Sequence, residues 1–315
     1  MIKFTLFLNL LMLMAIGLNA QTGSAQKISE LISPYKYKTH YMDIDSLKIA
    51  YVDEGSGDKT LLFVHGLATY LPSWDKLIEE LKGKYRCIAI DLPGYGRSSK
   101  GDYPSTMAFY AVVLQKFTSQ LKLDNPVLCG HSMGGQIAMT YALKYPDYGN
   151  KLILIAPAGI ETFNEQNKQW FGNFFTAQAV ASATEQQVRY NYGLNFYEVP
   201  ADTEFMIKDR LQMATATDFM DYCNTVAGGV QGMLNEPVFD RLGNIRQQTL
   251  IVYGENDNLI PNRILHKDLT TKQIAETATE KIPDSQLAMV PECGHMAPFE
   301  KPINLSNIIN QFLKE

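Results

Sequence analysis

The chain has 315 residues, 46% hydrophobic and 19% charged, with 28 Lys and Arg against 33 Asp and Glu and a formal net charge of −5. Such values belong to a globular chain and exclude a disordered, collagen-like or coiled-coil description of the whole. Four cysteines rule out a small disulfide scaffold. The lack of clustered Lys and Arg excludes nucleic acid as an expected partner, since phosphate binding needs them together.

Lys3 precedes an apolar run from Phe4 to Leu18, broken only by Thr5 and Asn9, and Ala20, Gly23 and Ala25 offer small residues for cleavage. This layout predicts a signal peptide over residues 1–25, because the run falls short of the roughly 20 apolar residues that span a bilayer. The expectation is a periplasmic or extracellular protein, with an uncleaved N-terminal anchor as the alternative. No cysteine near the end of the run could accept a lipid. Removing the segment takes away Lys3 and no acid, leaving 27 basic against 33 acidic residues, or −6. No other stretch reaches spanning length, so no stable membrane insertion of the mature chain is expected.

Short apolar, β-branched runs then alternate with helical patterns: Leu47 to Val52, Thr60 to Val64, Cys87 to Ile90, Val127 to Cys129, Lys151 to Ile155, Thr249 to Tyr253 and Leu287 to Val290. Strands separated by helices predict an α/β fold, a mainly parallel central sheet with helices on both faces. The rhythm breaks once. From Pro157 to about Gln248 no run reads as a strand, which predicts an α-helical cap over 158–248 inserted into a core of 26–157 and 249–315. In the cap, Trp170, Phe171, Phe174 and Phe175 fall at helical spacing. Trp170, Phe171 and Phe174 are candidate substrate-pocket residues; the alternative is that they pack the cap onto the core.

Gly130-His131-Ser132-Met133-Gly134, followed by Gly135, lies directly after the run Val127 to Cys129 and opens a helical pattern reaching about Tyr145. G-x-S-x-G between a strand and a helix places the serine on a strained turn, with glycines where neighbouring chain passes close. The helix N-terminus supplies free N–H groups and a positive dipole end. A serine hydroxyl needs a base and a group that orients the base. Asp257 and His295 each follow a predicted strand, so Ser132, Asp257 and His295 all fall at carboxyl ends of parallel strands, where loops converge. Glu255 is a rival for the acid, but it lies nearer its strand.

On these motifs the chain resembles the α/β-hydrolase fold family, in its capped, esterase- or lipase-like serine hydrolase form, from about Ser46 to Phe312. His65-Gly66-Leu67, the stretch Asp91 to Ser98, the stretch Gly254 to Pro261, and Gly294-His295 leading to Glu300-Lys301-Pro302 fit as well. The resemblance implies that the backbone N–H groups of Leu67 and Met133 form an oxyanion hole. It makes His65 a brace of its loop and His131 a packed residue; His40 and His266 carry no motif. If the family's strand order holds, Cys87 and Cys129 sit about 9 to 10 Å apart, too far for a disulfide. Cys129, Cys223 and Cys293 are expected as buried thiols.

Gly94-Tyr95-Gly96 resembles the start of a dinucleotide fingerprint, but Ser99 stands at the third glycine. Neither H-E-x-x-H nor paired C-x-x-C occurs, so neither a metal nor another cofactor is expected. Ser132 at the elbow sets the chain apart from relatives with an aspartate nucleophile, and Gly-His-Ser-Met-Gly from the Gly-Gly-Ser-Trp-Gly of proline iminopeptidases. The expected activity is hydrolysis of a carboxylic ester or thioester of a small to medium apolar substrate through an acyl-enzyme. Carbon–carbon bond hydrolysis of a diketone-type substrate, and a non-catalytic ligand-binding or signalling role, stay open. The negative net charge favours a neutral substrate, and the length of the cap favours an apolar group shielded from water.

Overall fold

Consecutive residues of one strand enter opposite packing layers, which is why the apolar runs are continuous rather than alternating. In the strand Thr60–Val64, Leu61 and Phe63 join one buried cluster and Leu62 and Val64 the other. A computed structural model describes residues 26–314 of the chain. The signal peptide expected over residues 1–25 lies outside the described residues.

Eight strands, β1 (His40–Ile44), β2 (Leu47–Glu54), β3 (Thr60–Val64), β4 (Arg86–Ile90), β5 (Val127–His131), β6 (Lys151–Ile155), β7 (Gln248–Gly254) and β8 (Ser285–Val290), form one sheet. Their order is β1-β2-β4-β3-β5-β6-β7-β8. The β1–β2 and β2–β4 pairs are antiparallel, and every other pair is parallel. This is the mainly parallel sheet expected from the sequence. Strand β1 is an addition to that reading. It is an edge strand with Tyr41 and Asp43 exposed, so its residues look like loop, and it turns into β2 through Asp45, which takes a positive φ of 52°. Aspartate tolerates that conformation better than most residues.

Helices cover both faces. On one, Trp74, Leu77, Ile78 and Leu81 meet Leu305, Ile309 and Phe312 over Leu61, Phe63, Cys87 and Ile153. On the other, Tyr110, Leu114 and Phe117 of helix Met107–Gln120 and Ile137 and Tyr141 of helix Met133–Lys144 lie against Leu62, Ile88 and Leu154. Cys87 and Cys129 occupy β4 and β5 with β3 between them, and all four cysteines are buried free thiols.

Among the described residues no strand separates β6 from β7; five helices do, Glu165–Phe174, Ala177–Ala181, Glu185–Gly193, Glu204–Met213 and Phe219–Asn235. The last is the anchor of the insertion. It buries Phe219, Tyr222, Cys223, Val226 and Val230, and Gln136 Nε2 of the core donates to the carbonyls of Met233 (2.9 Å) and Glu236 (3.0 Å) at its end. At Gly232 a Cβ would stand 2.5 Å from the Ser105 carbonyl oxygen, so this helix approaches the core closer than any side chain permits.

Candidate active site

Strand β5 ends and helix Met133–Lys144 begins within one residue, and Ser132 makes that turn with φ 53° and ψ −119°. A non-glycine residue held there stores about 1–3 kcal/mol of strain. Four backbone hydrogen bonds over-determine it: Ser132 N–H donates to Ile155 O (3.0 Å), and its carbonyl accepts from Gly135 (2.9 Å), Gln136 (3.2 Å) and Ala158 (3.0 Å). The flanking glycines are required by space. A Cβ on Gly134 would lie 2.1 Å from Val64 O, and one on Gly130 2.3 Å from Gly134 O. Ser132 itself is half-buried.

Asp257, wholly buried, follows β7. Its Oδ1 accepts the N–H groups of Leu259 (2.7 Å) and Ile260 (3.0 Å), which fixes the carboxylate and leaves Oδ2 for His295. Oδ2 stands 2.7 Å from His295 Nδ1. Glu255, the rival acid, is exposed. His295 follows β8 and is 3% exposed. Its carbonyl lies 2.9 Å from His131 Nε2, so the residue preceding Ser132 is bonded to the residue that faces Asp257. Among the described residues the Ser132 hydroxyl has no hydrogen bond to the His295 ring; such contacts often close only with substrate bound.

Two further histidines brace the site as neutral rings. Burial pushes His131 down to about 3 and His65 to about 4. His131 Nε2 therefore donates to the His295 carbonyl. His65 Nδ1 donates to Gly66 O (2.8 Å), and its Nε2 accepts from Leu92 N–H (3.1 Å). Gly66 lies against the elbow, where a Cβ would meet Ser132 Cβ at 3.0 Å. Next to it, Leu67 N–H makes no backbone hydrogen bond among the described residues, and neither does Met133 N–H at the helix start. These are two free donors flanking Ser132.

The loop carrying His295 is stitched to the insertion. Glu300 Oε2 accepts from Gly294 N–H (2.7 Å) while its Oε1 accepts from Tyr197 (2.9 Å) and Glu198 (2.8 Å), and Met296 N–H donates to Asn195 O (2.9 Å). Under the insertion lies a cavity of about 290 Å³ reached by Leu67, Phe174, Phe175, Tyr192, Arg210 and Tyr222. Of the three aromatic residues expected at a pocket, Phe174 lines it. Trp170 and Phe171 do not; they pack on each other and on Phe163, Phe174 and Phe175. Tyr192, Arg210 and Tyr222 were not singled out by sequence, because nothing in the local pattern separates them from ordinary helix residues.

A doubly covered parallel sheet with a strained serine elbow, an Asp–His pair and free donors at one edge is the architecture of a hydrolase of the α/β type. Residues 59–302 match the family described as alpha/beta hydrolase fold, and the chain belongs to it. A 2-hydroxy-6-oxononadienedioate/2-hydroxy-6-oxononatrienedioate hydrolase of Pseudomonas putida is 28% identical over 86% of this chain and 93% of its own. Among solved structures, a probable hydrolytic enzyme of Pseudomonas aeruginosa PAO1 superposes with a TM-score of 0.83 at 23% identity, covering 92% of this chain and 99% of that one. A thermophilic esterase of Thermogutta terrifontis superposes at 0.69 with 26% identity, covering 88% and 98%.

Proposed function

We propose that the protein is a serine hydrolase that cleaves a carboxylic ester or thioester through an acyl-enzyme. The observation that carries this reading is the His295–Asp257 contact of 2.7 Å set behind a serine held at φ 53°. Ser132 Oγ attacks the carbonyl carbon as its proton passes to His295 Nε2. Asp257 holds the Nδ1–H tautomer and stabilises the imidazolium, and the N–H groups of Leu67 and Met133 receive the oxyanion. Each such donor is worth about 10²–10³ in rate. Collapse breaks the bond to the leaving oxygen or sulfur, which takes the proton from His295. Water then attacks the acyl-enzyme, giving its proton to His295, and the bond to Ser132 Oγ breaks as His295 returns that proton to the serine and the acid departs.

The helical insertion acts in this reading as a cap over the acyl site, and residues 1–25 as an export signal whose removal an N-terminal mass determination on the secreted protein would reveal. The esterase likeness supports ester hydrolysis. The relative from Pseudomonas putida supports a second reading, hydrolysis of a carbon–carbon bond by the same residues. A p-nitrophenyl ester series from acetate to palmitate separates them: a burst of p-nitrophenol, lost by about 10⁶ in kcat in Ser132→Ala, is expected for an esterase. Turnover of a vinylogous diketone with no ester cleaved would favour the second reading, and inactivity on both would end the hydrolase proposal.

A further inference from the structure

The cavity under the insertion is walled mainly by apolar and aromatic side chains, joined by Asn191, and Arg210 is the one Lys, Arg, Asp or Glu that lines it. Arg210 is 9% exposed. A guanidinium carries five N–H donors and keeps its charge at every ordinary pH. Its one hydrogen bond among the described residues runs from Nη2 to the Val180 carbonyl at 2.7 Å, and no carboxylate pairs with it. The adjacent Asp209 is fully engaged elsewhere, by Ser33 N–H (2.9 Å), Ser33 Oγ (2.7 Å) and Tyr70 OH (2.5 Å). No nitrogen of Arg210 is among the sealed polar atoms lacking a partner, and the residue lines the cavity.

The guanidinium is also held in place. Its carbon lies 5.0 Å from the Phe219 ring and 5.8 Å from that of Tyr222, contacts that stabilise a cation and restrict its motion. A buried cation without a counter-ion is strongly unfavourable unless something completes it. In a mainly apolar pocket a few placed polar groups set the orientation and identity of the ligand, and Arg210 is the one that carries a charge.

We propose that Arg210 is a carboxylate-recognition residue and that the substrate carries a free carboxylate on the portion that fills this cavity. One cation matches one negative charge, and the planar fork matches a planar carboxylate through two parallel hydrogen bonds. A phosphate, with more charge and tetrahedral oxygens, would call for further cationic partners, and the lining has none. Leu67, which lines the cavity, directly follows Gly66, and Gly66 lies against Ser132, so the cavity borders the loop beside the elbow. The neutral substrate suggested by the overall charge is thereby replaced by an acid-bearing one. The reaction half of the proposal rests on the hydrolase reading; the binding half does not.

Calorimetric titration of the full chain with hexanoate and with hexan-1-ol tests the binding half. Hexanoate is expected to bind at least about tenfold more tightly, with the preference abolished in Arg210→Met and partly kept in Arg210→Lys. Equal affinities, or a preference unchanged in Arg210→Met, would overturn the proposal. Should Arg210→Met lose its fold by circular dichroism, the wild-type and Arg210→Lys comparison decides: a preference that Arg210→Lys leaves undiminished counts against the fork. For the reaction, the kcat/KM ratio of monomethyl glutarate to methyl butyrate should exceed ten and fall about 100-fold in Arg210→Met, chiefly through KM. Hexanoate binding that depends on Arg210 with neither ester cleaved would sink the ester-hydrolase reading and leave the carboxylate site standing. Equal turnover and equal binding of acid and neutral compounds would do the reverse.

Discussion

At the carboxyl edge of the sheet Asp257 and His295 are buried and bonded to each other, and Asp257 also accepts two backbone N–H groups, whereas helix Glu165–Phe174 of the insertion buries none of its residues and leaves Phe174 59% exposed. The first region is a set of short, mutually constraining hydrogen bonds running through β5, β7 and β8. The second is tied to the core at separate places, helix Phe219–Asn235, Asp209, Glu161 and the Glu300 clasp, while its outer helix stays exposed. The difference is one of required precision. Moving a proton between named atoms tolerates errors of a fraction of an ångström, while an apolar wall needs only to exclude water and set a volume. Rigidity therefore belongs to the chemistry and looseness to the selection of substrate.

The largest expected effect breaks the rigid side. Asp257→Asn keeps the shape, but two N–H groups already point at Oδ1, so the amide oxygen must stay there and the NH2 must face His295 Nδ1. That forces the wrong imidazole tautomer, and kcat for a p-nitrophenyl ester should fall about 10⁴-fold with the melting temperature nearly unchanged. An unaltered kcat would remove Asp257 from the machinery. Next comes His131, whose Nε2–H holds the carbonyl of His295 at 2.9 Å. His131→Phe should lower kcat by about 10–100-fold through misplacement of the base. His131→Gln, whose amide nitrogen reaches nearly the same point, should restore most of it. If both variants behave alike, His131 only fills space.

The same contrast governs what the sequence could say. Elbow, acid and histidine were readable because each chemistry-bearing residue closely follows an apolar run, Ser132 one position after β5, Asp257 three after β7 and His295 five after β8, and the first two of those runs are strands buried on both faces. Strand β1 escaped because it has one exposed face and Tyr41 points outward. Arg210 escaped for a different reason. Within Glu204–Met213 it stands beside Glu204, Lys208 and Asp209, which read together as a solvated face; only tertiary packing buries Asp209 and Arg210, the first against Ser33 and Tyr70 and the second against Phe219 and Tyr222. The His266–Glu161 contact, which joins the start of the insertion to the loop after Asp257, was equally invisible. It pairs residues far apart in sequence that share no motif.

Acid should find the rigid region first. His65 and His131 stay neutral in the native protein down to about 4 and 3, while in the unfolded chain each takes a proton near 6.5. The unfolded state then binds more protons, so the stability that these rings contribute is complete above about pH 6.5 and is lost as the pH falls toward the native values. The slope is about 1.4 kcal/mol per pH unit for each ring. Urea midpoints measured from pH 7 to 4.5 should decline, and His131→Gln should flatten the decline by about one proton. A decline of the same steepness in that variant would mean that other groups set the acid limit.

The smallest effect on stability, and the sharpest on specificity, is expected from the loose region. Phe174 and Phe175 line the cavity but remain 59% and 39% exposed, so replacing both by alanine should change stability by about 0.5 kcal/mol or less. Truncating the fully buried Phe63 to alanine should instead cost about 3–5 kcal/mol. With the wall shortened, KM for the longer acyl chains of an ester series should rise several-fold while acetate is cleaved as before, because a short acyl group never reaches those rings. Thermal melts and the acyl-length profile on the same preparation decide it. A large drop in melting temperature would make the two rings packing residues of the insertion. An unchanged profile at an unchanged melting temperature would place acyl selection deeper, around Tyr192, Arg210 and Tyr222.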